Sequence, residues 1–272
     1  MLDRLAGAVG AAFLVAVPTH ASAAPVDDLV AALRLDEVVG IMRDEGLVYA
    51  DELAVEMLGT ESSEGWRDTV GRIYDTDKMQ ESVVSGIRAE LEDDQAEALA
   101  DFFESDLGRR VVELELDARA AMVDPEVEEA ARTVYRTAHA TEAERLDGVE
   151  AFVEANDLVE QNVSGALNAS LAFYRGLGDG GAIALTEEEV LADVWLSEEE
   201  TRADTAEWLY GYLLMAYEPL DPEELARYTE MSDSPEGGAL NRALFAGFNT
   251  MYNEISYAIG LAAARQMAGT EL

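Results

Sequence analysis

Apolar residues recur at intervals of three and four along most of this chain, the spacing that gathers them on one face of an α-helix. Between positions 94 and 122 the pattern breaks once and resumes. Ala96, Leu99, Phe102 and Phe103 form one stripe; Leu107, Val111, Leu114, Ala118 and Met122 form the next. Ser105 stands at the break, where its hydroxyl can accept from an unpaired amide of the second helix. Asp106 suits the positive end of that helix dipole. Gly108 is costly in a first helical turn, so another backbone is expected to pass close to it. The stretch predicts two helices meeting at a tight corner.

A second corner of the same design spans 221–251. Leu225, Tyr228 and Met231 precede it, and Leu240, Leu244, Gly247 and Met251 follow. Ser234-Pro235-Glu236-Gly237 matches Ser105-Asp106-Leu107-Gly108 in kind, with Pro235 at a first helical position, where its missing donor does no harm. Superimposing the two serines gives an offset of 129 (234 less 105), which also brings Leu91 to Leu220 and Met122 to Met251. The helix opened by Pro235 is predicted to run to about Met267, roughly 50 Å at 1.5 Å per residue. It carries two apolar stripes, one through Leu240, Leu244, Met251, Ile255 and Ile259 and one through Phe245, Phe248 and Tyr252. A helix so widely apolar is expected to be packed on more than one side and to contact both halves of the chain.

The remaining stretches also read as helices: Val26 to Arg34, Leu35 to Leu58, Trp66 to Asp75, Asp77 to Leu91, and one from Asp124-Pro125-Glu126 to about His139. A Ser- and Gly-rich joint occupies 59–65. Thr141 with Glu144 forms a capping box and starts a second half. There Leu146-Asp147-Gly148-Val149 echoes Leu35-Asp36-Glu37-Val38 at an offset of 111. Reaching 129 from 111 takes 18 further residues, and the glycines at 176, 178, 180 and 181 place them in an inserted loop near 176–193. Thr186 with Glu189, and Ser197 with Glu200, read as further capping boxes. No stretch alternates long enough to predict a strand. The expected fold is all-α: a multi-helix bundle of two related helical repeats, 24–140 and 141–272, with a long C-terminal helix.

The run Phe102-Phe103-Glu104-Ser105-Asp106-Leu107-Gly108-Arg109 resembles the core motif of the domain-of-unknown-function 2059 family. Those are exported bacterial proteins with an aromatic pair, then Ser, often Pro, and Gly followed by a basic or polar residue. The first corner keeps the aromatics and has Asp106 where Pro is common; the second keeps Pro235 and has Met231 and Ser232 in place of the aromatics. The resemblance implies a helical periplasmic protein and brings no catalytic residue with it.

Residues 1–23 have the form of an export signal: Leu5 to Val17 is apolar, Pro18 breaks it, and Ala21-Ser22-Ala23 has the small-x-small pattern of a cleavage site. Thirteen apolar residues fall short of the roughly 20 that a membrane span needs. Cleavage leaves about 249 residues (272 less 23), in which no later stretch is long enough to span a membrane. With no Cys, neither a lipoprotein anchor nor a disulfide is available. The expected location is the periplasm.

The charge is −39, from 57 acidic and 18 basic residues. Such a surface repels nucleic acid and anionic lipid heads. It reads as a solvated coat suited to a saline habitat, or as a surface for divalent cations or a basic partner.

Candidate chemistry is sparse. His139 is the one histidine beyond the export segment, and thiol nucleophiles, zinc–thiolate sites and paired-histidine metal sites are excluded. There is no Gly-x-Ser-x-Gly elbow, no calcium loop, and no Lys among the glycines at 176–181 to hold a phosphate. No catalytic residue, metal ligand or cofactor is assigned. Carboxylates are on nearly every helix, and Glu113 and Glu115, beside Val112 and Leu116, read as an ordinary polar face. Repeated Asn on two helices stands out, since Asn is a mediocre helix former. Asn168, Asn249, Tyr252 and Asn253 define a candidate groove for a peptide or small polar ligand; the alternative is solvent-facing or mutually paired amides that fix the register of the halves. The leading functional expectation is a non-catalytic binding or scaffolding module of the envelope, contacting another protein or a peptide. The alternative is a metal-independent hydrolase of wall material, which needs two facing carboxylates.

Overall fold

The computed structural model describes residues 25–59, 62–141 and 143–269. The expected export segment, 1–23, and the side chains of His139 and Thr141 lie outside the described residues. Helices account for nearly all the rest, and no strand occurs among the described residues. In chain order they are α1 (Pro25–Ala32), α2 (Leu35–Leu53, continued by a π-helical turn at Ala54–Leu58), α3 (Glu64–Ile73) and α4 (Thr76–Glu90). Then come α5 (Asp93–Phe103), α6 (Asp106–Ala121), α7 (Pro125–Thr141), α8 (Ala143–Ala155) and α9 (Leu158–Asp179). The last four are α10 (Glu187–Leu196), α11 (Glu198–Ala216), α12 (Pro222–Ser232) and α13 (Pro235–Met267). The fold is an all-α bundle, and no described helix is long and apolar enough to cross a membrane.

The two corners have the same local geometry. Ser105 Oγ accepts from the Gly108 amide at 3.0 Å, and Ser234 Oγ from the Gly237 amide at 3.0 Å. Both serines sit at φ −68°, with ψ 167° and 160°. A Cβ on Gly108 would lie 2.1 Å from the Phe102 carbonyl oxygen, and one on Gly237 2.2 Å from that of Met231. In each corner the last turn of one helix rides over the first turn of the next, and only glycine leaves it room. The helices leading in are capped alike: the Glu92 amide donates to Gln95 Oε1 at 3.1 Å and the Asp221 amide to Glu224 Oε2 at 3.0 Å. Ser105→Ala and Ser234→Ala are each expected to cost about 1 kcal/mol in urea unfolding through the lost cap, with Ser234 also losing its bond to the Met231 carbonyl at 2.6 Å. A loss at one corner only would contradict the equivalence.

One expected cap is not made. Ser197 lies at helical angles (φ −85°, ψ −5°), and its hydroxyl donates back to the Val194 carbonyl at 2.8 Å. The chain passes from α10 to α11 without the extended residue a cap requires, so the hydroxyl satisfies the preceding turn.

The Gly-rich loop and short helix expected near 176–193 take a narrower form: α9 continues through Gly176 and Gly178 to Asp179, the connection is confined to 180–186, and the short helix α10 begins at Glu187. Gly176 serves packing. A Cβ on Gly176 would lie 2.2 Å from the Tyr257 carbonyl oxygen, and one on Gly260 2.2 Å from that of Phe173. The α9 and α13 backbones touch there.

Helix α13, 33 residues long, packs on α3, α4 and α5 as well as on α9 and α12. Its most extensive partner is α9, followed by α4. At the α4 crossing a Cβ on Gly86 would stand 2.6 Å from Gly247 Cα, a second backbone-to-backbone contact. Met251, Ile255 and Ile259 are buried along its length. Elsewhere α1 packs on α5, α8 on α12, and α6 on α11. Helix α7 lies along α11, where the Tyr135 and Tyr210 rings stack at 4.8 Å and Arg136 bridges to Glu207.

Candidate functional site

The packing of α6 and α13 around α11 leaves a cavity of about 320 Å³. Helix α6 contributes Val112, Glu115, Leu116 and Arg119, and α13 contributes Asn241, Leu244, Phe245 and Phe248. Trp208, Tyr212, Tyr217 and Tyr228 close it from α11 and α12. Leu35 and Val38 of α2 and Leu158 and the exposed Asn162 of α9 also line it. Each of these two helices follows a left-handed residue, Arg34 at φ 50° and Asp157 at φ 51°.

Glu115 is the polar centre. Its Oε1 accepts from the Tyr217 hydroxyl at 2.7 Å and from the Tyr228 hydroxyl at 3.1 Å, while its backbone carbonyl accepts from the Tyr212 hydroxyl at 3.1 Å. Its Oε2 takes no hydrogen bond from the described residues and keeps some exposure. The side chain is part-buried and lines the cavity. Burial pushes its carboxyl above the ordinary range, and the two phenolic donors pull it part of the way back. Burial and the nearby carboxylate hold the phenols of Tyr217 and Tyr228 well above their usual range, so both remain donors. Their rings pack with Phe152 at centroid distances of 5.4 and 4.9 Å and with each other at 6.1 Å.

One turn along α6, Arg119 holds Glu45 of α2 through two bonds of 2.9 and 2.8 Å and lies 5.8 Å from the Trp208 ring. Desolvation opposes its charge, but the Glu45 bonds more than reverse that, and the guanidinium is held above its usual range. Each side chain keeps about a quarter of its surface, 24% for Arg119 and 29% for Glu45, because each faces a cavity. Arg119 lines the one just described. Glu45 lines a second, of about 520 Å³, with Tyr49, Tyr74, Phe173 and Tyr252. A further concavity, about 1010 Å³ between α8 and α12, is rimmed by the exposed acids Glu144, Glu154, Asp221, Glu230 and Asp233 together with Arg145. Its acids are solvated, whereas aromatic and polar groups converge on the first cavity, the arrangement that orients a ligand.

The residues singled out in the sequence are dispersed around these spaces. Phe103 and Gly237 line the first cavity, and Phe102 stacks on Tyr228 at 6.1 Å. Ser105, Gly108, Ser234 and Pro235 hold the corners, while Arg109 is exposed and pairs with Asp106 at 2.8 Å. The candidate groove is not assembled as one surface. Tyr252 lines the second cavity, Asn249 packs on Gly165 of α9, Asn253 has a buried Oδ1 without a partner among the described residues, and Asn168 is exposed.

Glu115, read in the sequence as part of a polar face, is the residue around which the cavity is organised. A signal was present: Glu115 follows Val111 by one turn and so falls inside an apolar stripe. Among the described residues no group of three or more metal-ligating side chains is close enough to hold an ion.

The model of one protein family, described as an uncharacterized protein conserved in bacteria (domain of unknown function 2059), matches residues 77–136. That span runs from α4 into α7 and includes the first corner, Glu115 and Arg119. No curated protein and no solved structure matches the chain.

Proposed function

We propose that this is an exported, duplicated helical protein of the bacterial envelope that binds a small ligand in the α6–α13 cavity and does not transform it. The observation that carries the reading is Glu115 Oε2, which takes no hydrogen bond from the described residues, in a cavity lined largely by apolar and aromatic side chains.

The duplication pairs α1–α6 with α8–α13 and leaves α7 as connector. Left-handed Arg34 pairs with Asp157, and the capping Ser63 with Thr186, both at an offset of 123. The acidic caps Glu92 and Asp221, and the corners at Ser105 and Ser234, pair at 129. This register replaces the offset of 111, which would set Leu35 at the start of α2 against Leu146 inside α8. The six additional residues fall between Thr186 and Asp221, where α11 has 19 residues against 15 in α4. Contacts pair under the same exchange: α1 with α5 and α8 with α12, α4 with α13 and α11 with α6.

The register also explains the cavity's two-sidedness. Val112, Glu115, Leu116 and Arg119 correspond to Asn241, Leu244, Phe245 and Phe248, and all eight line it. Equivalent positions therefore face each other, with charges on one wall and mostly apolar side chains on the other. A ligand with one polar end and an apolar body fits such walls.

A hydrolase would need a second acid across from Glu115. Glu115 is met by phenols, and Glu45 has both oxygens engaged by Arg119, which favours binding over turnover. Export rests on the signal pattern at 1–23, and fractionation should find a periplasmic chain beginning at Ala24. For the cavity, the neutral dye Nile red should show blue-shifted emission with the wild-type protein and lose it with Leu244→Trp, which fills the space. Equal emission from two equally folded proteins would refute the cavity as a binding site.

A further inference from the structure

Building on the cavity-binding reading, we propose that the ligand is an organic cation: a protonated amine carried on an apolar body. The argument is one of charge balance around the cavity. Arg119 and Glu45 neutralise each other through two short bonds, so the Glu115 carboxylate, when ionised, is left without a counter-charge. The groups facing it from α11 and α12 are phenols, Tyr212, Tyr217 and Tyr228, which donate hydrogen bonds and bring no positive charge.

A buried carboxylate with an open oxygen lacks a cationic donor, and an ammonium group supplies both the charge and the hydrogen bond. Leu244, Phe245 and Phe248 offer only apolar surface. A fatty acid would set a second carboxylate against Glu115, because Arg119 is already taken. The −39 charge of the whole chain works in the same direction, raising the local concentration of cations around the mouth.

Three probes of equal length and different head group separate the alternatives: n-octylammonium, n-octanol and n-octanoate. Binding is followed by calorimetry and by the fluorescence of Trp208, at pH 8 and in 0.5 M salt to screen the acidic surface. n-Octylammonium should bind at least about tenfold more tightly than n-octanol, and n-octanoate should not bind detectably. Glu115→Gln should weaken n-octylammonium by about tenfold or more and leave n-octanol within about twofold. If n-octanol and n-octylammonium bind alike, or Glu115→Gln changes nothing, the cation is wrong and the cavity stands. If n-octanoate binds best, the cation is likewise wrong. If none of the three binds, the cavity-binding reading falls together with the cation.

Discussion

Replacing Gly176 with alanine is expected to lower the free energy of unfolding by about 3 kcal/mol, while the same replacement two residues on, at Gly178, should raise it by up to about 1 kcal/mol. Both glycines lie near the end of α9, so helix propensity favours alanine at each. The difference is tertiary. A Cβ at Gly176 would stand 2.2 Å from the Tyr257 carbonyl oxygen and 2.7 Å from the Leu261 amide, and backbone cannot swing aside as a side-chain tip can. At Gly178 nothing lies within 4 Å. To admit the methyl group, α9 and α13 must separate, and the loss spreads along the longest contact in the molecule. Gly260→Ala should cost as much, since its Cβ would stand 2.2 Å from the Phe173 carbonyl oxygen on the opposing helix. Denaturant midpoints at constant m-value decide it. Equal effects at Gly176 and Gly178 would mean the two helices are not in backbone contact.

These glycines mark where sequence reading stops. Helix positions, the serine caps and the long last helix are local matters, decided by spacing and by residues within one turn, and the chain states them openly. Glycine is ambiguous locally: it loosens a loop and it also allows two helices to touch. Which role Gly176 plays depends on Gly260, 84 residues on (260 less 176), and nothing near 176 announces it. Glu115 was hidden for a related reason. Among 57 acidic residues one carboxylate on a helix looks like any other. Its partners Tyr217 and Tyr228 come from 102 and 113 residues away, and only folding brings them together. Arg119 depends in the same way on Glu45, 74 residues back. The helices and corners were written in short-range pattern, whereas the cavity was written in pairings between elements.

Glu115→Gln should stabilise the unliganded protein by about 2 kcal/mol near neutral pH, and the gain should vanish as the pH falls toward about 4. The sign follows from the direction of the shift. Burial raises the Glu115 carboxyl above its value in the unfolded chain, against the weaker pull of the two phenols, so the folded state prefers the protonated form. The stability this proton confers is complete below the unfolded value and is lost as the pH rises through the folded one. Glutamine keeps the acceptor for Tyr217 and Tyr228, carries no charge and does not titrate in this range. The variant therefore matches the wild type in acid and exceeds it above the folded value. Taking the difference between the two proteins at each pH cancels the many other carboxylates, which both share. An organic cation should act in the opposite sense. It stabilises the charged form, lowers the folded value of Glu115, and should bind more weakly as the pH falls through that value. Saturating the wild type with n-octylammonium should then remove the advantage of the variant at neutral pH. Thermal or urea unfolding from pH 4 to 8, with and without the amine, measures both effects. A variant less stable than the wild type at neutral pH would show that the carboxylate already has its counter-charge within the fold.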